Sequence, residues 1–352
     1  MSRLDRYIMA TVLSGALAGL FILVCINFVF EFIDEAGDIG QGNYGLGAAL
    51  LYVSLQMVHR AYEAFPMATL IGALVSLGAL AARSELVVMR AVGMSVAQIA
   101  RSVVYAGLLL ALLAAAIGEW FAPPAVRLAQ AVQAEALGRS VDAGGGGFWV
   151  RDGDYFLHGQ RALRSDLIEG VVVYEVAGNQ LVRVLSAPVA EYTAGRWVLA
   201  PATITAFLDN QVVVSEQPRA AVGGELDPDM LEVVVVDAAT LAVTELVRYI
   251  RYLELNNLDS EEYRLAFWIK LSTPLATIVM LLLTVPLVFG SQRSAGVGQK
   301  IFLGVLIGLG FFLINRFLNN AGVIYGLPAP VSALSPTALF LVIALIAMRR
   351  VR

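Results

Sequence analysis

Arg83-Ser84-Glu85-Leu86-Val87-Val88-Met89-Arg90-Ala91-Val92-Gly93-Met94-Ser95 is a short charged segment between two long apolar runs. Its setting decides the fold, because it reads as a cytoplasmic handle on a chain that otherwise lies in lipid. Ser84 is a residue that caps helices, Glu85 stands where a helix N-terminus favours negative charge, and Gly93 is a natural stop about two and a half turns later. On such a helix Leu86, Met89 and Gly93 share one face beside Arg90. The segment is too short to span a bilayer and too apolar on one side to stay solvated alone. It therefore lies along the membrane surface or enters a groove on a partner. The alternative is an ordinary loop whose arginines only set topology.

Composition supports a membrane chain. Of 352 residues, 59% are hydrophobic and 15% charged, and the mean hydropathy is +0.75, far from the balance of soluble domains. A net charge of -4 and no basic run interleaved with aromatics argue against nucleic acid. Cys25 is the only cysteine and lies inside an apolar run, so one chain can form neither a disulfide framework nor a thiolate metal site. His59 and His158 are far apart in unlike surroundings, which argues against a histidine metal site. The first apolar run follows Arg3 and Arg6 as in a signal peptide, but its length and lack of a small-x-small cleavage site mark it as a retained anchor.

Taken in order, Ile8 to Ile33 crosses about 30 Å of hydrocarbon as span one. Asp34 to Gly47 is an acidic, glycine-rich loop. Ala48 to Met57 is an interfacial helix leading into span two, Phe65 to Ala82, with Pro66 kinking the junction. Span three runs from Val96 to Trp120 and is ended by Pro123-Pro124, although Ala125 to Leu137 could continue it as an amphipathic helix. Gly144 to Gly147 is a joint. Beyond it the hydrophobic period becomes that of strands: Phe148 to Arg151 and Asp154 to His158 form a hairpin around Asp152-Gly153. Short runs recur at Val171–Val176, Leu181–Ser186, Arg196–Leu199, Thr203–Leu208, Gln211–Ser215 and Leu231–Val236. This pattern predicts a small antiparallel sandwich or jelly-roll outside the bilayer. Leu241 to Leu255 returns to helical period. Span four is Phe267 to Phe289, the loop Ser291 to Lys300 is basic, span five is Ile301 to Leu318, Asn319 to Pro330 is a turn, and span six is Val331 to Met348.

The expected fold class is thus an α-helical integral membrane protein with six transmembrane helices and an inserted all-β, jelly-roll-like domain. Residues 1–137 hold the first three spans with the short helix 84–93, residues 138–240 the β domain, and residues 241–352 a connecting helix and the last three spans. Arg3/Arg6, Arg83/Arg90/Arg101, Arg293/Lys300 and the C-terminal arginines all fall on one side for six spans. That places both termini in the cytoplasm and the β domain on the far side.

Enzyme chemistry finds no support in the motifs. A P-loop needs Gly-Lys-Ser/Thr, and the two lysines, Lys270 and Lys300, follow Ile269 and Gln299. Gly15-x-x-x-Gly19 and Gly304-x-x-x-Gly308 let helices approach closely in spans one and five, either within one subunit or at a dimer seam. Ionisable groups near the spans are functional candidates because hydrocarbon penalises them. Glu31, Asp34, Glu35 and Asp38 cluster at the outer end of span one. Arg316 lies beside Asn315, Asn319 and Asn320, where it either snorkels to the interface or lines a site for a polar lipid head. Glu119, next to Trp120, is interfacial.

Leu4-Asp5-Arg6-Tyr7-Ile8, Gly40-Gln41-Gly42-Asn43-Tyr44, Phe65-Pro66-Met67-Ala68, Arg83 to Met89, Ile117-Gly118-Glu119-Trp120-Phe121-Ala122-Pro123 and Tyr325-Gly326-Leu327-Pro328 together resemble the LptF/LptG family of lipopolysaccharide export permeases, its LptG branch more than its LptF branch. The resemblance implies a non-enzymatic six-helix subunit with a periplasmic jelly-roll in the bacterial inner membrane. It would pair with LptF, be driven by two copies of the ATPase LptB, join LptC, and pass lipopolysaccharide to the periplasmic bridge LptA. No cofactor would be bound by this chain, ATP and magnesium being used by the ATPase. Arg83, Ser84, Glu85, Leu86, Met89 and Arg90 would form the coupling helix, Glu85 touching the ATPase most directly. Spans one and five would form the gate, with Gly15, Gly19, Gly304 and Gly308 at its seam, and Glu31, Asp34, Arg127, Asn315 and Arg316 at the substrate cavity. One departure stands out: such permeases tend to carry cations at the outer end of span one and beyond span three. Here Glu31, Asp34, Glu35, Asp38, Gln130 and Gln133 occupy those stretches. Either the headgroup is less anionic than usual or Arg316 and Arg127 supply the contacts. The rival from another class is a membrane scaffold that only recruits partners; a channel lacks a filter or ring of charge.

Overall fold

The computed structural model describes residues 2–137, 148–164, 166–178, 180–193, 195–208, 211–222, 237–256, 258–289 and 297–350. The expected joint at 144–147, the strand at 231–236, the segment 290–296 with Arg293, and Arg352 lie outside the described residues. The chain divides into two compact units, residues 1–37, 53–126 and 261–352 in the first and residues 38–52 and 127–260 in the second.

The first unit is helical. Helix α1 (Arg3–Glu35) starts at a reciprocal cap between Ser2 and Asp5. Helix α2 (Leu46–Ala82) is followed by the short α3 (Glu85–Ala91) and by α4 (Val96–Ala116), which Ser95 and Gln98 cap in the same reciprocal way. A π-helical turn (Ile117–Phe121) joins α4 to α5 (Ala122–Leu137). After the second unit come α7 (Glu261–Phe289), α8 (Val297–Tyr325) and α9 (Ala329–Arg349); α6 belongs to the second unit and is described with it. Among the described residues, six helices are long and apolar enough to cross a membrane.

Three expected boundaries differ, each because a proline or polar residue is accommodated rather than obeyed. The chain from 46 to 82 is one helix with Pro66 inside it, not an interfacial helix and a separate span. Pro123 and Pro124 do not end span three; they sit in the first turn of α5, immediately after the π turn, where a missing N–H costs little. At the other end, α8 starts at Val297 and runs through Asn319 and Asn320 to Tyr325, so Lys300 is helical and the turn shrinks to the residues around Gly326, whose φ is +63°.

The core of this unit gathers Ile8 and Val12 of α1, Phe65, Leu70, Leu74 and Leu77 of α2, Leu110 of α4, and Met280 and Leu281 of α7. Helices α1 and α2 approach more closely than side chains would permit. A Cβ built on Gly72 would lie 2.1 Å from the Gly15 carbonyl oxygen, and one on Gly19 would lie 2.8 Å from that of Ala68. Only glycine fits this seam. Helix α1, and α8 with 17% of its most apolar window buried, behave differently from the rest. Just 11% of the most apolar window of α1 is buried, against 61% in α2 and α7, and Phe21, Ile22, Phe30 and Ile33 are exposed along it.

In the second unit, β1 (Phe148–Asp152), β2 (Tyr155–Arg164), β3 (Leu167–Ala177), β4 (Gln180–Thr193), β5 (Arg196–Ala200), β6 (Ala202–Leu208), β7 (Gln211–Gln217) and β8 (Ala220–Ala221) form an antiparallel sheet. The long β4 pairs β3 along one edge. Its other edge is shared between β6, at Arg183 to Ser186, and β5, at Val189 to Thr193. Two partners on one edge fold the sheet over a core of Phe148, Leu157, Ile168, Val173, Trp197 and Leu199. The first hairpin is displaced by one residue from the expected register: Asp152 pairs with Tyr155, so Gly153-Asp154 is the loop, with Gly153 at φ +58°. Helix α6 (Val243–Leu255) docks on that hairpin. Tyr252 donates from its hydroxyl to the Arg151 carbonyl at 2.5 Å, and the Gly153 N–H donates to Asn256 Oδ1 at 3.1 Å.

The glycine seam predicts an asymmetric substitution pair. Gly72→Ala is expected to cost about 1–3 kcal/mol in detergent-solubilised protein by forcing α1 and α2 apart. Gly310→Ala, where nothing lies within 4 Å of the added carbon, is expected to be neutral or slightly stabilising, and thermal unfolding of the two variants checks the contrast.

Candidate functional site

The charged handle is the first candidate. Ser84 joins α2 to α3 as a single left-handed residue, φ +60° and ψ +9°, and is the one non-glycine at positive φ among the described residues. Its N–H bonds the Ala81 carbonyl at 3.0 Å while its own carbonyl accepts from Val87 and Val88, so one residue ends one helix and starts the next. The expected side-chain cap is not formed; a serine in this conformation contributes backbone, not its hydroxyl. The far end matches expectation. Gly93, at φ +95°, closes α3 with its N–H on Arg90 and the Met94 N–H on the Met89 carbonyl, a helix stop that needs a left-handed residue.

The apolar face of α3 is used within the chain. Leu86 and Met89 are buried in the core of the first unit. Val87, Val88, Arg90 and Val92 are exposed, and a groove of about 380 Å³ runs along Ala81, Leu86, Val87, Arg90, Ala91, Val288 and Phe289. Glu85, at the helix N-terminus, accepts a hydrogen bond on Oε2 from the Tyr7 hydroxyl of α1 at 2.8 Å. The foot of α1 has a second fastening, since buried Asp5 accepts from the Ser102 hydroxyl of α4 at 2.8 Å. Arg83 is exposed beside the joint.

Ionisable groups within the spans form the second candidate. Arg60 of α2 holds Glu31 of α1 at 3.2 Å and Glu63 at 3.2 Å, and His59 stands 3.6 Å from Glu63. Glu31 is thereby paired, sharing Arg60 with Glu63, whereas Asp34 is exposed. Lys270 of α7 is buried; its Nζ donates to the Gly118 carbonyl at 2.9 Å and lies 3.9 Å from Glu119. The π turn that contains Gly118 loosens that carbonyl from the helical ladder, and the lysine supplies the donor. Gly118 has to be glycine, because a Cβ there would meet the Tyr62 ring at 2.6 Å. A cavity of about 50 Å³ lies among Glu63, Met67, Ser272, Thr273, Phe311 and Asn315.

The other expected residues separate. Gly15 and Gly19 meet α2 backbone, while Gly304 and Gly308 meet Leu74 and Met67 of the same helix, so both glycine pairs flank α2 in this chain. Asn315 lines the small cavity, but its neighbour Arg316 is exposed. Arg127 is engaged by Glu245 of α6. Sequence reasoning passed over Arg60, Lys270 and Tyr7 as site residues. The first two carried a usable signal, a cation inside an apolar run; Tyr7 carried none, because its partner is 78 residues away.

Comparison with known proteins agrees with this architecture. A sequence model of the family described as lipopolysaccharide export system permease LptF/LptG matches residues 6–350. The chain is 33% identical over 347 residues to the lipopolysaccharide export system permease protein LptG of Escherichia coli (strain K12), covering 97% of this chain and 96% of that protein. It is 31% identical over 346 residues to LptG of Haemophilus influenzae, covering 97% of each. To LptF of Escherichia coli (strain K12) it is 26% identical over 341 residues, covering 90% of this chain and 86% of that protein.

The Ser84 joint makes a prediction that side-chain capping would not. Ser84→Gly should leave stability unchanged or raise it, whereas Ser84→Val should lose about 1–2 kcal/mol, the cost of forcing a β-branched residue into the left-handed region. Thermal unfolding of both variants is the check; equal loss in the two would mean that the hydroxyl matters and the backbone does not.

Proposed function

Because the chain belongs to the LptF/LptG family of lipopolysaccharide export system permeases, we propose that it is the LptG-type membrane subunit of an ATP-driven exporter that lifts lipopolysaccharide from the inner membrane. In this reading both termini are cytoplasmic and the β-sheet unit is periplasmic, the arrangement that puts the arginines of the inter-span loops inside. The sister permease LptF completes the membrane core, two copies of LptB hydrolyse ATP, and LptC and LptA take the lipid onward. ATP hydrolysis is assigned to LptB because no Gly-Lys-Ser/Thr occurs in this chain.

The observation that carries the reading is the pairing of a rigidly set cytoplasmic handle with spans whose apolar faces are left open. Helix α3 is seated by Leu86 and Met89 and leaves Val87, Val88 and Arg90 exposed beside the half-buried Glu85. Helices α1 and α8 keep only 11% and 17% of their most apolar windows buried, as befits walls that face lipid and a second permease.

For the lipid headgroup the acidic outer end of α1 is a poor host, and Arg60 is already engaged by Glu31 and Glu63. Of the two arginines expected to compensate, Arg127 is engaged by Glu245 and Arg316 is exposed. We assign the headgroup contact to Arg316.

Two measurements test the assignment. In a reconstituted complex with the sister permease and the ATPase, Glu85→Ala should lower ATP-dependent lipid release about tenfold, the worth of one charge-assisted hydrogen bond. Stable assembly of the wild type with ATP hydrolysis and no lipid movement would instead favour a scaffold. Arg316→Ala should reduce photocrosslinking of lipopolysaccharide to α8, and undiminished crosslinking and release would remove Arg316 from the cavity.

A further inference from the structure

We propose that Tyr7 is a positioning residue that locks the foot of α1 to α3, holding the Glu85 carboxylate in place so that a displacement of the short helix by the ATPase moves span one directly. The inference rests on the export reading above.

Three observations carry it. Tyr7 donates its single hydroxyl proton to Glu85 Oε2 at 2.8 Å across 78 residues of sequence. That contact fixes one oxygen of the carboxylate and leaves Oε1 for an incoming donor, so the phenol sets the direction in which Glu85 points. Second, the foot of α1 is held on its other side by the buried Asp5–Ser102 hydrogen bond to α4, and Ile8 and Val12 share a core with Leu86, Met89 and Ile99. Helix α3, the start of α4 and the first turns of α1 are therefore packed and hydrogen-bonded to one another. Third, the covalent route from α3 to α2 passes through the single left-handed residue Ser84, a joint at which the helical hydrogen-bond ladder does not run on. A push on α3 is thus passed to α1 through a side-chain hydrogen bond as well as through the core that both share with α2, whereas the backbone link from α3 to α2 is a single left-handed residue. Beyond the foot, α1 meets α2 at the glycine seam and at the Arg60–Glu31 pair, and its outer face leaves Phe21, Ile22, Phe30 and Ile33 exposed.

A tyrosine at this depth also has an ordinary role as an interfacial anchor. Replacing Tyr7 with phenylalanine separates the two, since the ring stays and only the proton donor is lost. The complex of this chain with the sister permease and the ATPase is reconstituted in proteoliposomes, and lipopolysaccharide delivered per ATP hydrolysed is measured alongside the thermal midpoint of the complex. Tyr7→Phe is expected to lower lipid delivered per ATP about threefold or more, the loss of one exposed hydrogen bond to a charged group, with an unchanged midpoint. On a Glu85→Ala background the same substitution should cause no further fall, because its partner is already gone. An unchanged ratio, or an equal fall on both backgrounds, overturns the inference and leaves the export reading standing. A wild-type complex that hydrolyses ATP but delivers no lipid overturns the export reading and this inference with it.

Discussion

Inside hydrocarbon every backbone N–H and C=O has to find its partner within the protein, and that constraint shapes each irregularity of the helical unit. Among the described residues of the helical unit the chain turns between apolar runs at Ser84, at the Gly93 stop and at the Gly326 turn. Where a helix deviates inside a span, a side chain repairs the deficit. The π turn at Ile117–Phe121 loosens the Gly118 carbonyl, and Lys270 reaches across from α7 to bond it. A buried ammonium is expensive in lipid. It is retained here because it satisfies the carbonyl and lies near the Glu119 carboxylate, and Tyr62 closes the site by donating to the Lys270 carbonyl at 3.2 Å.

Lipid also removes the force that would otherwise hold helices together. Apolar side chains gain nothing by leaving acyl chains for one another, so association falls to close packing and to polar bonds between helices. Both are visible around α2. Glycines of α1 and α8 flank it, and Arg60 ties it to α1 through Glu31. Helix α2 is accordingly well buried while α1 and α8 expose most of their apolar surface. Helix α2 is thus packed by its own chain, while the apolar faces of α1 and α8 point outward.

What the sequence made legible follows the same division. Long apolar runs admit one structure in lipid, so the six spans and the strand-rich insertion between them could be read from periodicity alone. Their ends could not. Pro66 and Pro123-Pro124 look like helix breakers, but a proline only deletes one donor, and the surroundings can absorb that deletion. Ser84 reads as a cap by residue type, yet the tight join between α2 and α3 demands a left-handed residue and takes the hydroxyl out of use. The first hairpin shifted by one residue because Gly153 serves the first loop position at positive φ, a choice that composition does not distinguish from its neighbour. Leu86 and Met89 were correctly placed on one face of a short helix; the sequence could not say that the groove receiving that face belongs to the same chain.

The charged residues show why local reading has a limit. Glu31 looked like a solvated or substrate-facing carboxylate because its partner, Arg60, is 29 residues away on another helix. Once the pair is seen, Glu31 is no longer a lone carboxylate at the outer end of α1, though Asp34 remains exposed. The same reasoning applies at the opposite end of α1. Glu85 has no evident partner in the sequence but is oriented by Tyr7 in the fold, so the ordering of its carboxylate is already met within the chain. Helix α1 therefore carries a polar tie near each end and a glycine seam between them. Those ties and that seam set where the helix is held, and the apolar face opposite them is left exposed.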